Sequence, residues 1–138
     1  MLDTLSKVFE IMIFTAASKE YAQEIRKLID PENQYISHMF TREDCLQTKD
    51  GFFIKDLRVI GRDLSKVVIV DNLVHSFGLQ LDNGIPIIDF KGEIDDEELY
   101  YLMEYLLELN SVPDVELVEK NRSYFRLTEI LGANLNQF

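Results

Sequence analysis

Four β-branched residues in a row, Val67-Val68-Ile69-Val70, stop abruptly at Asp71-Asn72. A short run of Val and Ile with no polar alternation has no solvent face, so it predicts a strand buried on both sides, as in a parallel sheet. That choice constrains everything else, because parallel strands need crossover connections and covering helices. Asp71 and Asn72 then stand at the carboxyl end of a strand, where open α/β sheets form their ligand crevice. The same pair equally suits a plain strand-to-loop exit. Just upstream, Phe52–Lys55 reads as a short strand ending on a lysine, and Asp56–Ser65 as a turn or short helix. Lys55 can bring to that crevice the positive charge that phosphate chemistry requires.

The rest of the chain alternates in the same way. Leu2, Leu5, Val8 and Phe9 recur at helical spacing over Met1–Glu10, and Glu10–Phe14 (EIMIF) reads as a buried strand. Thr15 follows it, placed either to cap a helix or to hydrogen-bond a phosphoryl oxygen. Ser18 is the stronger cap for an amphipathic helix over Lys19–Leu28, which Asp30-Pro31 ends. Tyr35–Phe40 reads as a strand, and Lys49-Asp50-Gly51 carries hairpin-turn chemistry between Cys45-Leu46 and Phe52-Phe53. Arg42 lies in this polar excursion. Ile85–Phe90 (IPIIDF) is a further strand, with Pro86 near its start or on an edge. Asp95–Leu109 is a helix, its N-terminus favoured by Asp95-Asp96 and its stripe formed by Leu99, Leu102, Met103, Leu106 and Leu107. Val112–Val118 leads to a tail, Glu119–Phe138, that is expected to be partly helical. The fold expected is α/β: a three-layer domain with at least three parallel strands, Phe14, Val70 and Ile88 in its core, and a small β insert.

Charge and cysteine content narrow the function. With 14 Lys and Arg against 25 Asp and Glu, the net charge of -11 argues against nonspecific nucleic-acid binding and anionic membrane surfaces, and suits a basic partner. Cys45 is the only cysteine, which excludes a disulfide framework and a cysteine zinc site, and His38 and His75 stand too far apart to pair as ligands. No run is long enough to span a bilayer and Met1–Phe9 lacks the features of a signal peptide, so a soluble intracellular protein is expected.

Four segments carry a resemblance. IMIFTAASKEYA, MFTREDC, GFFIKDLRVIGRDLSKVVIVDN and LDNGIPI, in this order and spacing, resemble the catalytic domain of the small CTD phosphatases, NLI-interacting-factor-like members of the haloacid-dehalogenase (HAD) superfamily. The likeness covers residues 2 to 118, a domain of 1–118 followed by a tail of 119–138. It implies a HAD-like Rossmannoid fold and a Mg-dependent phosphoserine/phosphothreonine phosphatase working through an aspartyl-phosphate. By resemblance, Thr15 binds the phosphoryl group, Lys55 neutralises it, Asn72 is a magnesium ligand and Asp71 supports ion and lysine. Tyr21 and Arg42 match positions near a phosphopeptide groove. The chemistry suits each role: oxygen ligands for a hard cation, and a lysine and a hydroxyl for developing phosphoryl charge.

The sequence also departs from the family. Its Asp-x-Asp-x-Thr motif, which supplies nucleophile, acid/base and metal ligands, is absent, and Asp3-Thr4 lies in the helix before EIMIF rather than after a strand. The strand that bears the motif is expected upstream of Met1. Leu73-Val74 stand where Ser-Pro usually follows the Asp-Asn pair. Three readings follow: an incomplete copy of a phosphatase domain, inactive alone; a non-catalytic binding module on the same fold, like the mitochondrial inner-membrane translocase receptor, similar at Gly92–Asp96; or an unrelated α/β protein. The first implies a phosphorylated protein or peptide partner and a nuclear or cytoplasmic location, the second a mitochondrial one. A second copy of the chain or a repositioned tail can fill the place of the missing strand, which leaves a homo-oligomer open.

Overall fold

The computed structural model describes residues 1–131 and divides into two compact units, Met1–Lys55 and a second beginning at Asp56.

In the first unit a short helix, α1 (Leu2–Leu5), precedes strand β1 (Ile11–Phe14). The helix is shorter than its periodicity suggests: Val8 is exposed, and only Leu5 is buried. Ser18 caps α2 (Lys19–Ile29), its hydroxyl accepting from Tyr21 N at 3.3 Å. Asp30 closes that helix and then organises the next turn. Its buried carboxylate accepts from the backbone N–H groups of Gln34, Tyr35 and Ile36 at 2.8, 3.1 and 2.9 Å. The chain so turned enters β2 (Ile36–Phe40), which pairs parallel to β1 from Ile11↔Ile36 to Phe14↔Phe40. The expected insert follows as an antiparallel hairpin of β3 (Leu46–Gln47) and β4 (Phe53–Ile54). Its turn uses Gly51 at φ +88°, a conformation that side chains disfavour.

In the second unit the Asp56–Lys66 segment forms two 3₁₀ turns, and β5 (Ile69–Asp71) pairs parallel to β6 (Gly84–Pro86). Between them residues 74–83 wind as kinked 3₁₀ structure around Phe77, which is fully buried with Leu57, Ile69 and Leu81. Helices α3 (Glu98–Asn110), α4 (Leu117–Phe125) and α5 (Leu127–Leu131) complete the unit. Helix α4 runs through position 118 and buries Asn121 completely, so the start of the tail is built into the core.

Three expectations are corrected. Among the described residues the strands form three two-stranded sheets rather than one sheet of at least three parallel strands, because β1 bonds only to β2 and β5 only to β6. The IPIIDF strand stops at Pro86, and Ile88 is 69% exposed rather than in the core; Ile87 N still reaches Asp71 O at 3.2 Å, after which the ladder ends. Helix α3 starts at Glu98 and buries Leu102 and Leu106 of the expected stripe together with Leu109, while Leu99 is 57% exposed in its first turn and Leu107 is exposed on the flank.

Candidate functional site

Thr15, Tyr21, Arg42 and Lys55 belong to the first unit, Asp71 and Asn72 to the second. Thr15 continues the β1 ladder, its N–H donating to Phe40 O at 3.0 Å. Its half-buried hydroxyl oxygen accepts from Ala17 N at 3.1 Å, closing a tight turn before the Ser18 cap. A hydroxyl that accepts through one lone pair keeps its hydrogen to donate, which is what a phosphoryl oxygen needs. Thr15 and Tyr21 line one open, largely apolar hollow of about 280 Å³ with Ile13, Ile25 and Met39. Tyr21 is 62% exposed at its rim.

Arg42 is tied to the same turn. Its Nε donates to Ala16 O at 2.8 Å, its backbone N–H donates to Ala17 O at 3.0 Å, and its guanidinium carbon sits 5.3 Å from the centre of the Phe53 ring. It therefore couples the Thr15 turn to the hairpin, a more fixed role than that of a solvated cation. Lys55 follows β4 directly and is half-buried.

In the second unit Asp71 ends β5 as a buried carboxylate, accepting from Leu73 N at 2.8 Å. Asn72 is exposed, and its Nδ2 donates to Asp89 Oδ1 at 2.7 Å. Asp89 was legible in the sequence only as part of the IPIIDF run. The signal that finds it is the parallel pairing of VVIVDN with GIPI, which sets the two segments leaving the strands side by side.

Asp56 lies at the entry to the second unit. Both its oxygens take the Arg58 side chain, with Nη2 at 2.6 Å, and its Oδ1 also accepts from Arg58 N and Gln80 Nε2. The Arg58 hydrogen bonds outweigh burial and hold the Asp56 carboxyl down at about 2. Gln80 Oε1 in turn accepts from Leu57 N, so this network shapes the turn after Lys55.

The donors near β5 are of the kind a hard cation takes: a carboxylate in Asp71 and an amide oxygen in Asn72. The set fits magnesium in chemistry but is small in number. Among the described residues no group of three or more His, Cys, Asp or Glu is placed to hold a metal.

The sequence pattern that defines the NLI interacting factor-like phosphatases matches residues 1–116. The chain belongs to that family. Within it, the chain is similar to CTD small phosphatase-like protein 2 of Dictyostelium discoideum, 42% identical over 131 residues, or 95% of this chain and 22% of that one. It is also similar to the mitochondrial import inner membrane translocase subunit TIM50 of Candida glabrata, 37% identical over 122 residues, or 87% of this chain and 25% of that one. This chain thus spans about a quarter of the length of these relatives. Among solved structures, Fcp1, an essential RNA polymerase II CTD phosphatase, superposes with a TM-score of 0.57 over 99% of this chain and 34% of its own, at 22% identity. That likeness establishes the HAD-like α/β fold expected from the sequence.

Proposed function

We propose that the chain is part of a protein serine/threonine phosphatase domain of the small CTD phosphatase type, with an aspartyl-phosphate, Mg-dependent chemistry, and that the residues given are inactive alone. The observation that carries this reading is the likeness to a CTD small phosphatase-like protein through nearly the whole chain; the roles of Thr15, Lys55, Asp71 and Asn72 are those the family resemblance implies. In this reading the Thr15 hydroxyl donates to a phosphoryl oxygen and the Lys55 ammonium neutralises it. Asn72 is a ligand to magnesium, which supplies further charge stabilisation when bound, and Asp71 supports it. Tyr21 and Arg42 meet the phosphorylated peptide beside the Thr15 turn. The nucleophile belongs to an Asp-x-Asp-x-Thr segment that the given residues do not contain. The domain proper is taken as residues 1–118, with 119–138 as its C-terminal extension, and the location as nuclear or cytoplasmic.

The second reading is a binding module that keeps the fold without the chemistry, with a mitochondrial location. The likeness to an import translocase subunit favours it. Retention of both Lys55 and Asn72 favours the first, since a binding module has no use for a phosphoryl-neutralising cation or for a cation ligand.

A crystal structure of the chain soaked with inorganic phosphate tests the site. The phosphatase reading expects one anion contacted by both the Thr15 hydroxyl and the Lys55 ammonium, with Asn72 in the same pocket. Thr15, Lys55 and Asn72 found dispersed would overturn it.

A further inference from the structure

Among the described residues the Asn72 side chain makes one hydrogen bond, to Asp89, and it decides which way the amide faces. An ionised carboxylate has no hydrogen to give, so the amide atom 2.7 Å from Asp89 Oδ1 must be the nitrogen. In a planar amide the oxygen lies on the opposite side of the carbon from the nitrogen. The contact that takes up Nδ2 therefore turns Oδ1 away from Asp89. Position 89 reaches position 72 for a reason the topology supplies. Asp71 registers with Pro86 at the ends of the β5–β6 pair, and Ile87 N donates to Asp71 O at 3.2 Å. The two exiting segments are held together there, although the residues are 17 apart in sequence.

We propose that Asp89 is a positioning residue that fixes the amide of Asn72 so that its carbonyl oxygen, and not its nitrogen, is presented to a divalent cation. The inference rests on Asn72 being a cation ligand, as in the function proposed above. Hard cations take oxygen, and an amide nitrogen is no ligand for them. An exposed Asn without a partner samples three χ1 wells and a roughly two-fold amide torsion, about six orientations of which one is competent. Releasing Asn72 should thus weaken cation binding about sixfold to tenfold, just under or at the bottom of the roughly tenfold to hundredfold that loss of an outer hydrogen-bond partner costs a metal site.

The test is a Mg²⁺ titration of the ¹⁵N-labelled chain, followed on the Asn72 side-chain NH₂ pair and the backbone amides of Asp71, Asn72 and Leu73. In the native chain these signals should shift saturably. Asp89→Ala should raise the apparent Kd about sixfold to tenfold. Asp89→Asn should stay within about twofold of native, because an amide oxygen at position 89 accepts the same hydrogen. Equal affinity in Asp89→Ala and native chain would overturn the proposal. So would Asp89→Asn losing as much as Asp89→Ala, which would mean that charge or direct ligation matters and not orientation. If Mg²⁺ moves none of these signals while Asp89→Ala still moves the Asn72 NH₂ pair in the metal-free chain, the ligand role of Asn72 fails and the proposal falls with it. Because the Asn72 NH₂ response to Asp89→Ala is read without metal, that failure is told apart from a failure of the hydrogen bond itself.

Discussion

Gly84 lies against the ring of Phe77 so closely that a Cβ at position 84 would stand 2.0 Å from Phe77 Cε2. Phe77 is fully buried in the core of the second unit, and Gly84 opens β6, so neither can move aside cheaply. Gly84→Ala should therefore destabilise the chain by about 3 kcal/mol or more, above the usual range for overpacking. Urea denaturation of the pair of proteins measures it. A loss below about 1 kcal/mol would mean that the Phe77 ring yields.

Asn121 should matter as much, although it lies in what reads as a tail. Its Nδ2 donates to Asp82 O at 2.8 Å and Gly84 O at 3.0 Å, and its Oδ1 accepts from the Tyr105 hydroxyl at 3.0 Å. Burial pushes the Tyr105 phenol up to about 12, so it remains a donor across the working pH range. Asn121→Ala leaves buried carbonyls unsatisfied and should cost about 2–4 kcal/mol, against about 1 kcal/mol for Tyr105→Phe. Equal costs would show that the amide's two carbonyl bonds contribute little.

These two residues mark where the sequence is hard to read. Local signals were legible: the Ser18 cap, the Gly51 turn and the apolar strand runs EIMIF and VVIV declare themselves through their own side chains and neighbours. Long-range matches were not. Asp82-Asn83-Gly84 has the composition of a turn, and only the fold shows that Gly84 makes room for Phe77. Asn121 sits in a polar stretch whose partners are 37 and 39 residues away. Ile88 and Leu99 misled because an apolar residue in a regular pattern does not say which stripe turns inward. At the site, residue types and order were legible through the family likeness, whereas the Asn72–Asp89 contact depends on strand pairing.

Acid should unfold the chain through two carboxylates. Burial of Asp30 works to raise its pKa, but three backbone N–H bonds and Arg26 outweigh it and hold it below the ordinary carboxylate value. Asp56 is held at about 2 by Arg58. A carboxylate whose folded value is depressed stabilises the fold above its unfolded value, about 3.8, and loses that contribution as pH falls through the folded value. For Asp56 the contribution is about 1–2 kcal/mol once the exposure of Arg58 is allowed for. Asp56→Ala should thus be less stable than the native chain at pH 6, with the gap narrowing from pH 4 toward pH 2. A gap that widens on acidification would contradict the assignment.

Magnesium should do little to the chain's stability. One carboxylate and one amide oxygen bind weakly, and a ligand present below its Kd adds only a few tenths of a kcal/mol. Millimolar Mg²⁺ should shift the Tm by less than about 2 °C. A large shift at micromolar metal would mean that a further carboxylate completes the site.

The most direct measurement is turnover of a phosphoserine peptide by the purified chain, with and without an Asp-x-Asp-x-Thr strand supplied at its N-terminus. Thr15 and Lys55 can hold a phosphoryl group, but electrostatic help without a nucleophile leaves only slow hydrolysis by water. The 138-residue chain alone should show no turnover above background. The extended chain should show Mg-dependent turnover that Lys55→Ala abolishes. Clear Mg-dependent turnover by the chain as given, lost on Asp71→Ala, would contradict the account and place the nucleophile at Asp71.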